Sequence, residues 1–292
     1  MKNNKFVLLV LVPGLGLILA FTLIPMVHGM LISFYDYNVF RLENPFVGLE
    51  HYKRLFSNGS VIWKVLKNTF VFTTVSVVAN FVISLLLANA INTLRSSWLR
   101  NLFRVVCFLP CIAPSVGTAM VWKTGLLSTD GLLNQVLNYF GVGSQSWLGN
   151  GSLLMTAIII YTLWADIGYN VLLFSAGLEG IPKQFDEAAQ SDGAGSLRRL
   201  LTIKLPLMGP TFAFVCITTV MSYLQAFNQF KLLAKTGGAN YSATVLSYFI
   251  YWESFKSNNM GYASAVSMLS FVIILLVTLI QLRLMKVRWN YE

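Results

Sequence analysis

The chain has 292 residues, of which 56% are hydrophobic and 11% charged, and its formal net charge is +10. A soluble domain of this size does not need so much apolar surface, so the composition excludes an ordinary water-soluble globular protein and makes membrane lipid the solvent for most of the chain. The basic residues flank apolar runs and form no single patch, which argues against nucleic-acid binding. The three cysteines lie in apolar runs and the two histidines are far apart, so neither set indicates a metal site.

Six apolar runs are long enough to cross a membrane. A spanning helix needs about 20 mostly apolar residues, and the qualifying runs, in chain order, lie near 6–33, 69–92, 102–122, 152–176, 207–229 and 261–284. The first run contains Pro13 and Pro25 and the third contains Pro110 and Pro114, so both helices are expected to be kinked or broken. These runs predict an all-α polytopic membrane protein with six transmembrane helices, and residues 1–292 are expected to form a single transmembrane domain.

Charge at the ends of the runs predicts the orientation. Six spans place both termini on one side, and the loop 93–101 and the two tails are basic and almost free of acid. Since cytoplasmic loops carry an excess of Lys and Arg, both termini are expected in the cytoplasm. The excess of basic residues on the cytoplasmic side is small, because the loop 34–68 on the other side is also basic. The cytoplasmic side would hold 12 of the 21 basic residues, namely Lys2, Lys5, Arg95, Arg100, Arg104, Lys183, Arg198, Arg199, Lys204, Arg283, Lys286 and Arg288.

The first long loop, 34–68, has its own pattern. Its apolar residues recur at roughly helical intervals, which predicts short amphipathic helices at the outer membrane surface. They would either brace the spans or dock an external partner. The residues concerned are Tyr52, Leu55, Phe56, Trp63 and Leu66.

The segment 177–206, between the fourth and fifth runs, carries a spaced motif. It reads Glu187-Ala188-Ala189, then three residues, Gly193, nine residues, and finally Ile203-x-Leu205-Pro206. A chain of membrane spans seldom carries such a long, mixed-charge segment unless another protein docks there. The simpler interpretation is a turn that only joins two spans. The motif residues stand at fixed spacings along the whole segment, and a pattern of this length favours docking over a simple turn.

The same segment predicts a short, rigid helix. Pro182 suits the first turn of a helix, and Asp186 and Glu187 fall in its early turns, where the helix dipole favours negative charge. The two alanines of the motif are small helix formers that leave a smooth face for a partner. Gly193 and Gly195 are expected to form a sharp turn where a Cβ would be costly.

The whole chain resembles the membrane permease subunits of ATP-binding-cassette (ABC) importers, in the carbohydrate-uptake branch similar to the maltose and glycerol-phosphate systems. The spaced motif matches the family's cytoplasmic coupling loop, the EAA motif. One departure is Ala239, where a proline commonly follows the paired glycines, and it alters only an outer loop. Other matching segments are Phe46–Tyr52, Asn68–Thr69, Leu109–Pro110, Trp122, Gly131–Asn134, Thr236–Gly238 and Gly261–Ala265.

The resemblance implies a type I ABC importer permease that works by alternating access in the cytoplasmic (inner) membrane of a bacterium or archaeon. Its implied partners are a second, homologous permease subunit, two cytoplasmic ATPase subunits and an extracytoplasmic solute-binding protein, with a sugar or sugar-like solute as cargo. The acidic residue at Glu187 would meet a basic group on the ATPase. The coupling residues implied in this way are Glu187, Ala188, Ala189, Asp192, Gly193, Ala194, Leu205 and Pro206.

The chain carries no phosphate-binding G-x-x-x-x-G-K-[ST] sequence. ATP and Mg²⁺ are therefore expected in the partner ATPase subunits, and this chain is expected to bind no cofactor and to be no enzyme itself.

Two spans offer the aromatic and planar polar side chains that bind sugars. A carboxylate within a span is expensive, so Asp166 is a candidate substrate contact, or else it bonds to the partner subunit. The polar residues at the end of the fifth span line the path, or else they join helices to one another. The candidate path residues are Trp164, Asp166, Gly168, Tyr169, Gln225, Asn228 and Gln229.

Two other functions compete with this interpretation. A secondary, ion-coupled transporter would be expected to show internal repeats with paired broken helices, or several ionisable groups within its spans. Only Asp166 is firmly placed in mid-span, and no repeat is visible. A membrane-embedded enzyme would need a catalytic constellation, and the sequence contains none at suitable spacing.

Overall fold

A computed structural model describes residues 4–234 and 236–285, and the regular elements among those residues are all helices, with no strand. The only β-type pairing described there is an isolated antiparallel bridge between Tyr35 and Phe46. The helices are α1 (Asn4–Ile18), α2 (Ile24–Ile32), α3 (Glu50–Leu55), α4 (Ile62–Thr93), α5 (Ser97–Ile112), α6 (Ser115–Met120), α7 (Leu132–Tyr139), α8 (Gly151–Glu179), α9 (Lys183–Ser191), α10 (Ser196–Arg199), α11 (Leu205–Leu207), α12 (Gly209–Leu224), α13 (Asn228–Leu233), α14 (Leu246–Phe255) and α15 (Met260–Leu284).

Long apolar helices occupy all six predicted spans. Five are long and apolar enough to cross a membrane alone, and a sixth span results if one bent pair is counted as a single crossing. The helix of the second span, α4, begins at Ile62, seven residues before the predicted 69, because polar residues there lower the hydropathy without breaking the helix. The five spans are Leu11–Ile32, Ile62–Asn92, Gly151–Glu179, Met260–Leu284 and Gly209–Leu233, of which the last consists of α12, a short turn and α13.

The third span is broken, as its prolines predict. Helices α5 and α6 meet at an angle of 87°. Ala113, between them, is extended, with φ −67° and ψ 140°. Steric clash with the ring of Pro114 keeps the preceding residue out of the α region, so the helix must end there.

The first span responds to its prolines differently. It stays helical through a π-helical segment, Leu19–Leu23, which lies directly before α2 and its Pro25. Proline has no N–H to donate and its ring clashes with the carbonyl four residues earlier, so a local widening of the helix replaces the predicted break.

Two compact units make up the chain, Met1–Trp63 with Phe249–Ile273, and Lys64–Tyr248 with Ile274–Glu292. In the first unit, the predicted amphipathic helices of 34–68 reduce to the single helix α3, because Leu66 already belongs to α4. Leu55 is buried, and the Arg54 guanidinium lies 4.3 Å from the centre of the Tyr262 ring.

In the second unit, a hydrophobic cluster ties α4, α8 and α12 to the segment that joins α8 and α12. Gly177 lets α8 and α12 approach closely, since a Cβ there would lie 2.9 Å from side-chain atoms of Met208 and Thr211. The buried members of the cluster are Ala88, Ile91, Val171, Phe174, Leu178, Leu200, Met208 and Val215.

Three basic residues used in the orientation argument, Lys2, Lys286 and Arg288, lie outside the described residues, as do the side chains of Lys5 and Lys183. The cytoplasmic location of both termini and the single-domain assignment of 1–292 stay predictions.

Candidate functional site

The predicted coupling segment, 177–206, forms helix α9, a tight turn and then a run of short helical pieces from residue 196 onward. This run is called the return turn. Pro182 lies directly before the first residue of α9, so it caps that helix from outside instead of forming its first turn. After the turn, α10 leads into a π-helical segment, Leu200–Lys204, and then into α11. Leu205 is half-buried and Pro206 exposed in α11, which directly precedes the fifth span.

The turn after α9 depends on Gly193. Its φ is +76°, in the left-handed region that glycine favours. The N–H of Gly193 donates to Gln190 O at 3.0 Å, and that of Ala194 donates to Ala189 O at 3.0 Å. This pair of hydrogen bonds is the Schellman arrangement that ends a helix sharply. Gly195, with φ −66° and open space around it, does not require glycine, contrary to the sequence-based expectation.

The motif residues on α9 lie on two faces. Glu187 and Ala188 are exposed, whereas Ala189 is 7% exposed and packs inward. Consecutive helix residues point about 100° apart, so the two alanines cannot share one face. Only Ala188 therefore contributes to the smooth outer face predicted for the pair, while Asp192, at the end of the helix, is exposed.

Two ion pairs hold α9 against the return part of the segment. A carboxylate oxygen of Asp186 lies 3.0 Å from an Arg199 guanidinium nitrogen, and the other lies 3.2 Å from Lys204 Nζ. The Arg199 and Lys204 side chains are 14% and 9% exposed. The Asp186 carboxylate thus bridges two largely buried cations across the turn.

Beside Glu187 lies a polar recess of about 400 Å³. Two of its charged residues, Asp186 and Lys204, pair with each other, and Glu179 pairs with Arg104. The Glu187 carboxylate makes no ion pair with any of the described residues. It is an exposed acidic group at the edge of a concave surface.

Two cavities lie among the spans of the same unit. The first, about 300 Å³, is lined by residues of α4, α5, α8 and α12, including Cys111, Asp166 and Tyr169. The second, about 270 Å³, is lined by α8, by the first residue of α6 and by the stretch from the end of α12 to the start of α13, including Gln225, Asn228 and Gln229. Asp166 and Ser222 line both, so the two cavities adjoin at these residues.

A buried hydrogen-bond network forms one wall of the first cavity. The Asn80 amide donates to the Tyr223 hydroxyl at 2.8 Å. The Asn170 amide donates to Asn80 Oδ1 at 2.7 Å and to Thr219 Oγ1 at 3.0 Å. All four side chains are buried, so these bonds fix the relative positions of α4, α8 and α12.

Of the predicted path residues, Asp166, Tyr169, Gln225, Asn228 and Gln229 line these cavities, and the other two do not. The Trp164 ring packs 5.4 Å, between centroids, from the ring of Trp122. Gly168 lies against the main chain of Cys107 and Phe108 in α5, where a Cβ would collide with backbone atoms. Gly168 therefore serves the close packing of α8 against α5.

Three further residues that line the cavities, Asn80, Thr219 and Ser222, are not among the candidates predicted from the sequence. An asparagine within the apolar run of α4 was a usable signal, because polar residues within spans tend to be functional. The two hydroxyl residues gave none, since Ser and Thr are common in membrane helices.

Comparison with known proteins agrees with this architecture. A chain of a bacterial ABC transporter involved in the import of the acidic polysaccharide alginate has the same fold, with a TM-score of 0.85 at 23% identity over 99% of this chain and 98% of that one. The multiple sugar-binding transport system permease protein MsmF of Streptococcus mutans is 31% identical, covering 94% of this chain and 93% of the relative.

The trehalose/maltose transport system permease protein MalF of Thermococcus litoralis is 30% identical, covering 98% of this chain and 96% of the relative. The profile of the family described as binding-protein-dependent transport system inner membrane component matches residues 64–286. The chain therefore belongs to this family and is a multi-pass permease of an ABC importer.

Proposed function

We propose that this permease carries a carbohydrate through the two adjoining cavities, and that its exposed Glu187 face docks a separate ATPase subunit that drives the movement. The observation that carries the docking proposal is the exposed Glu187 carboxylate beside the polar recess, which forms no ion pair with the side chains that the structure describes, on a helix tied down by ion pairs and a glycine turn. The two cations of the recess are engaged elsewhere, Lys204 with Asp186 and Arg100 with the Leu94 carbonyl, so a basic side chain of a partner could pair with Glu187 there.

The lining of the cavities supports a carbohydrate cargo. It combines amides and hydroxyls, which bond sugar hydroxyls, with aromatic rings such as Tyr169 and Phe227, which pack on the C–H faces of sugar rings. The relatives MsmF and MalF are described as permeases of sugar and trehalose/maltose systems. Each cavity is at or just below the low end of the roughly 300–1,000 Å³ range of small-molecule sites, so a larger sugar would need both.

The complete importer would contain a second, homologous permease, two ATPase subunits that bind ATP and Mg²⁺, and an extracytoplasmic solute-binding protein. Counting the bent pair α5–α6 as one crossing gives six spans, which puts both termini on the side of the coupling segment, the cytoplasm. The exposed acidic helix between the fourth and fifth spans supports this orientation, because the ATPases and their ATP are cytoplasmic.

Co-purification tests the docking face. The permease is expressed with its partner subunits and isolated through a tag on its own chain, and the retained ATPase is quantified. Glu187→Lys is expected to lower retention and sugar uptake at least tenfold, since reversing one member of a close charge pair costs roughly 2–5 kcal/mol or more. Glu43→Lys is the matched control, because Glu43 is exposed and lies in the first unit.

Normal ATPase retention together with normal uptake by Glu187→Lys would refute the docking proposal. The cargo is tested separately by uptake of labelled neutral mono-, di- and trisaccharides into proteoliposomes that contain the whole importer and its binding protein. If every carbohydrate failed to accumulate while ATPase was retained, the cargo class would be wrong and the docking face would stand.

A further inference from the structure

The charge of the two adjoining cavities comes from one residue. Asp166 is the only acidic side chain in either lining, and neither lining includes a lysine, arginine or histidine. Within residues 4–234 and 236–285, no basic side chain lies within ion-pair distance of the Asp166 carboxylate. Among the described residues, the lining of the path therefore carries one negative charge and no basic side chain.

The amides in the wall of the first cavity are largely engaged with one another. The Asn170 amide donates to Asn80 and Thr219, and the Asn80 amide donates to Tyr223. Binding an anion requires charged or strongly convergent donors, such as arginine, lysine or main-chain N–H groups. A carboxylate, by contrast, only accepts hydrogen bonds, so it pairs with hydroxyl or ammonium donors.

We propose that Asp166 makes the path selective by charge: it admits neutral or amino-substituted carbohydrates and rejects acidic ones. The inference rests on the proposed carbohydrate function and specifies its substrate class. It also separates this chain from a fold relative whose transporter is involved in the import of the acidic polysaccharide alginate. Because the two chains share a fold, the part of any difference in cargo charge that this subunit contributes would come from side chains that line the path.

A native thiol can report the charge of the cavity without knowledge of the cargo. Cys111 lines the first cavity together with Asp166. The chain has two other cysteines, Cys107 and Cys216. Their replacement by alanine, in a complex whose partner subunits lack cysteine, leaves Cys111 as the only thiol. Using the assembled importer includes whatever charge a second subunit adds to the path.

The measurement compares the rates at which a cationic and an anionic methanethiosulfonate of similar size modify Cys111. We expect the cation-to-anion rate ratio to exceed that of free cysteine by roughly tenfold or more, because a unit charge within a Debye length acts strongly in a partly dehydrated cavity. Any effect of Asp166 on the reactivity of the thiol itself is the same for both reagents and cancels in the ratio.

Asp166→Asn is expected to bring the ratio down to that of free cysteine, and Asp130→Asn, which changes an exposed acid outside both cavities, is expected to leave it unchanged. A ratio that Asp166→Asn does not alter, or faster modification by the anionic reagent, would overturn the proposal. Because the reagents need no cargo, this result is independent of the uptake assay. If carbohydrate uptake fails but the ratio is as expected, only the proposed cargo class is rejected. If uptake is normal but Asp166→Asn leaves the ratio unaltered, only the proposed charge selection is rejected.

Discussion

The Asp186 carboxylate is the contact on which the stiffness of the coupling segment most depends. It joins α9 to the return turn by pairing with Arg199 at 3.0 Å and with Lys204 at 3.2 Å. Asp186→Asn keeps the shape of the side chain and removes its charge. The two cations, 14% and 9% exposed, then lose their common partner while remaining largely out of water.

The free-energy cost of Asp186→Asn lies between the values known for buried and for exposed ion pairs. Removing one partner of a fully buried ion pair costs about 3–5 kcal/mol, whereas exposed pairs contribute about 0–1 kcal/mol. The Asp186 side chain is 37% exposed, so solvent screens part of the effect and we expect about 1–3 kcal/mol. That free energy would raise the population of the opened segment roughly 5- to 150-fold.

Hydrogen exchange and transport stoichiometry measure the two consequences. In the assembled importer, Asp186→Asn should speed amide exchange within 183–204 and lower the amount of cargo moved per ATP hydrolysed, because a loose segment transmits less of the ATPase movement. Lys204→Met alone leaves Asp186 paired with Arg199 and should be milder. The double variant should cost less than the sum of the two single variants, by roughly 0.5–3 kcal/mol.

Asp192→Asn serves as the control for exchange, since it removes an exposed carboxylate of the same segment that makes no ion pair with the described residues. Unchanged exchange in Asp186→Asn, or strict additivity of the double variant, would refute the bridging role of this carboxylate.

Three other substitutions have outcomes set by local geometry. Gly168→Ala should sharply reduce thermal stability in detergent, because its Cβ would meet the main chain of α5, which cannot move aside as a side chain could. Gly193→Ala should destabilise the coupling turn by about 1–2 kcal/mol in amide exchange, since an L-residue is strained at φ +76°, whereas Gly195→Ala should change exchange little. Asn170→Leu removes the bonds to Asn80 and Thr219 and should cost about 1–3 kcal/mol in reversible unfolding, given roughly 0.6–1.7 kcal/mol for each interhelical hydrogen bond in membranes.

The positions of the spans and the break at Pro114 could be predicted because each depends on a short stretch of sequence. Hydropathy fixes a span, and a proline restricts the residue before it. The turn at Gly193 was predictable for the same reason, while Gly195 shows that a second glycine close to such a turn need not have a left-handed conformation. Burial of Ala189 follows from the rotation of α9 against its neighbours, which the sequence alone does not specify.

Helical geometry explains which of the predicted path residues on α8 line a cavity. Asp166, Tyr169 and Asn170 are separated by three and four residues and share a face, which lines the first cavity. Trp164 and Gly168 each lie two residues from Asp166, about 200° around the helix, and so contact other elements. The helical period of about 3.6 residues could therefore have separated the cavity-lining residues from Trp164 and Gly168 on the basis of the sequence. The partners of Asn170 could not have been predicted, because they depend on the register of α8 against α4 and α12.

The same helix connects the two sites. Glu179 follows Asp166 by 13 residues in α8, so about 20 Å of continuous helix separates the cavities from the coupling segment. Between them, Phe174 and Leu178 pack in one buried cluster with Leu200 of the return turn. A packed core resists deformation and moves as a body.

Displacement of the segment by an ATPase must therefore shift α8, and the bonds from Asn170 to Asn80 and Thr219 carry α4 and α12 with it. Those three helices supply most of the first cavity's lining. If these helices move together, the polar wall of the cavity moves as one block. The rate at which thiol reagents reach Cys111 should then depend on the nucleotide state of the ATPase. Asn170→Leu should weaken that dependence without affecting the docking of the ATPase at Glu187. Equal rates of Cys111 modification in the ATP-bound and nucleotide-free importer would refute this mechanical link between the two sites.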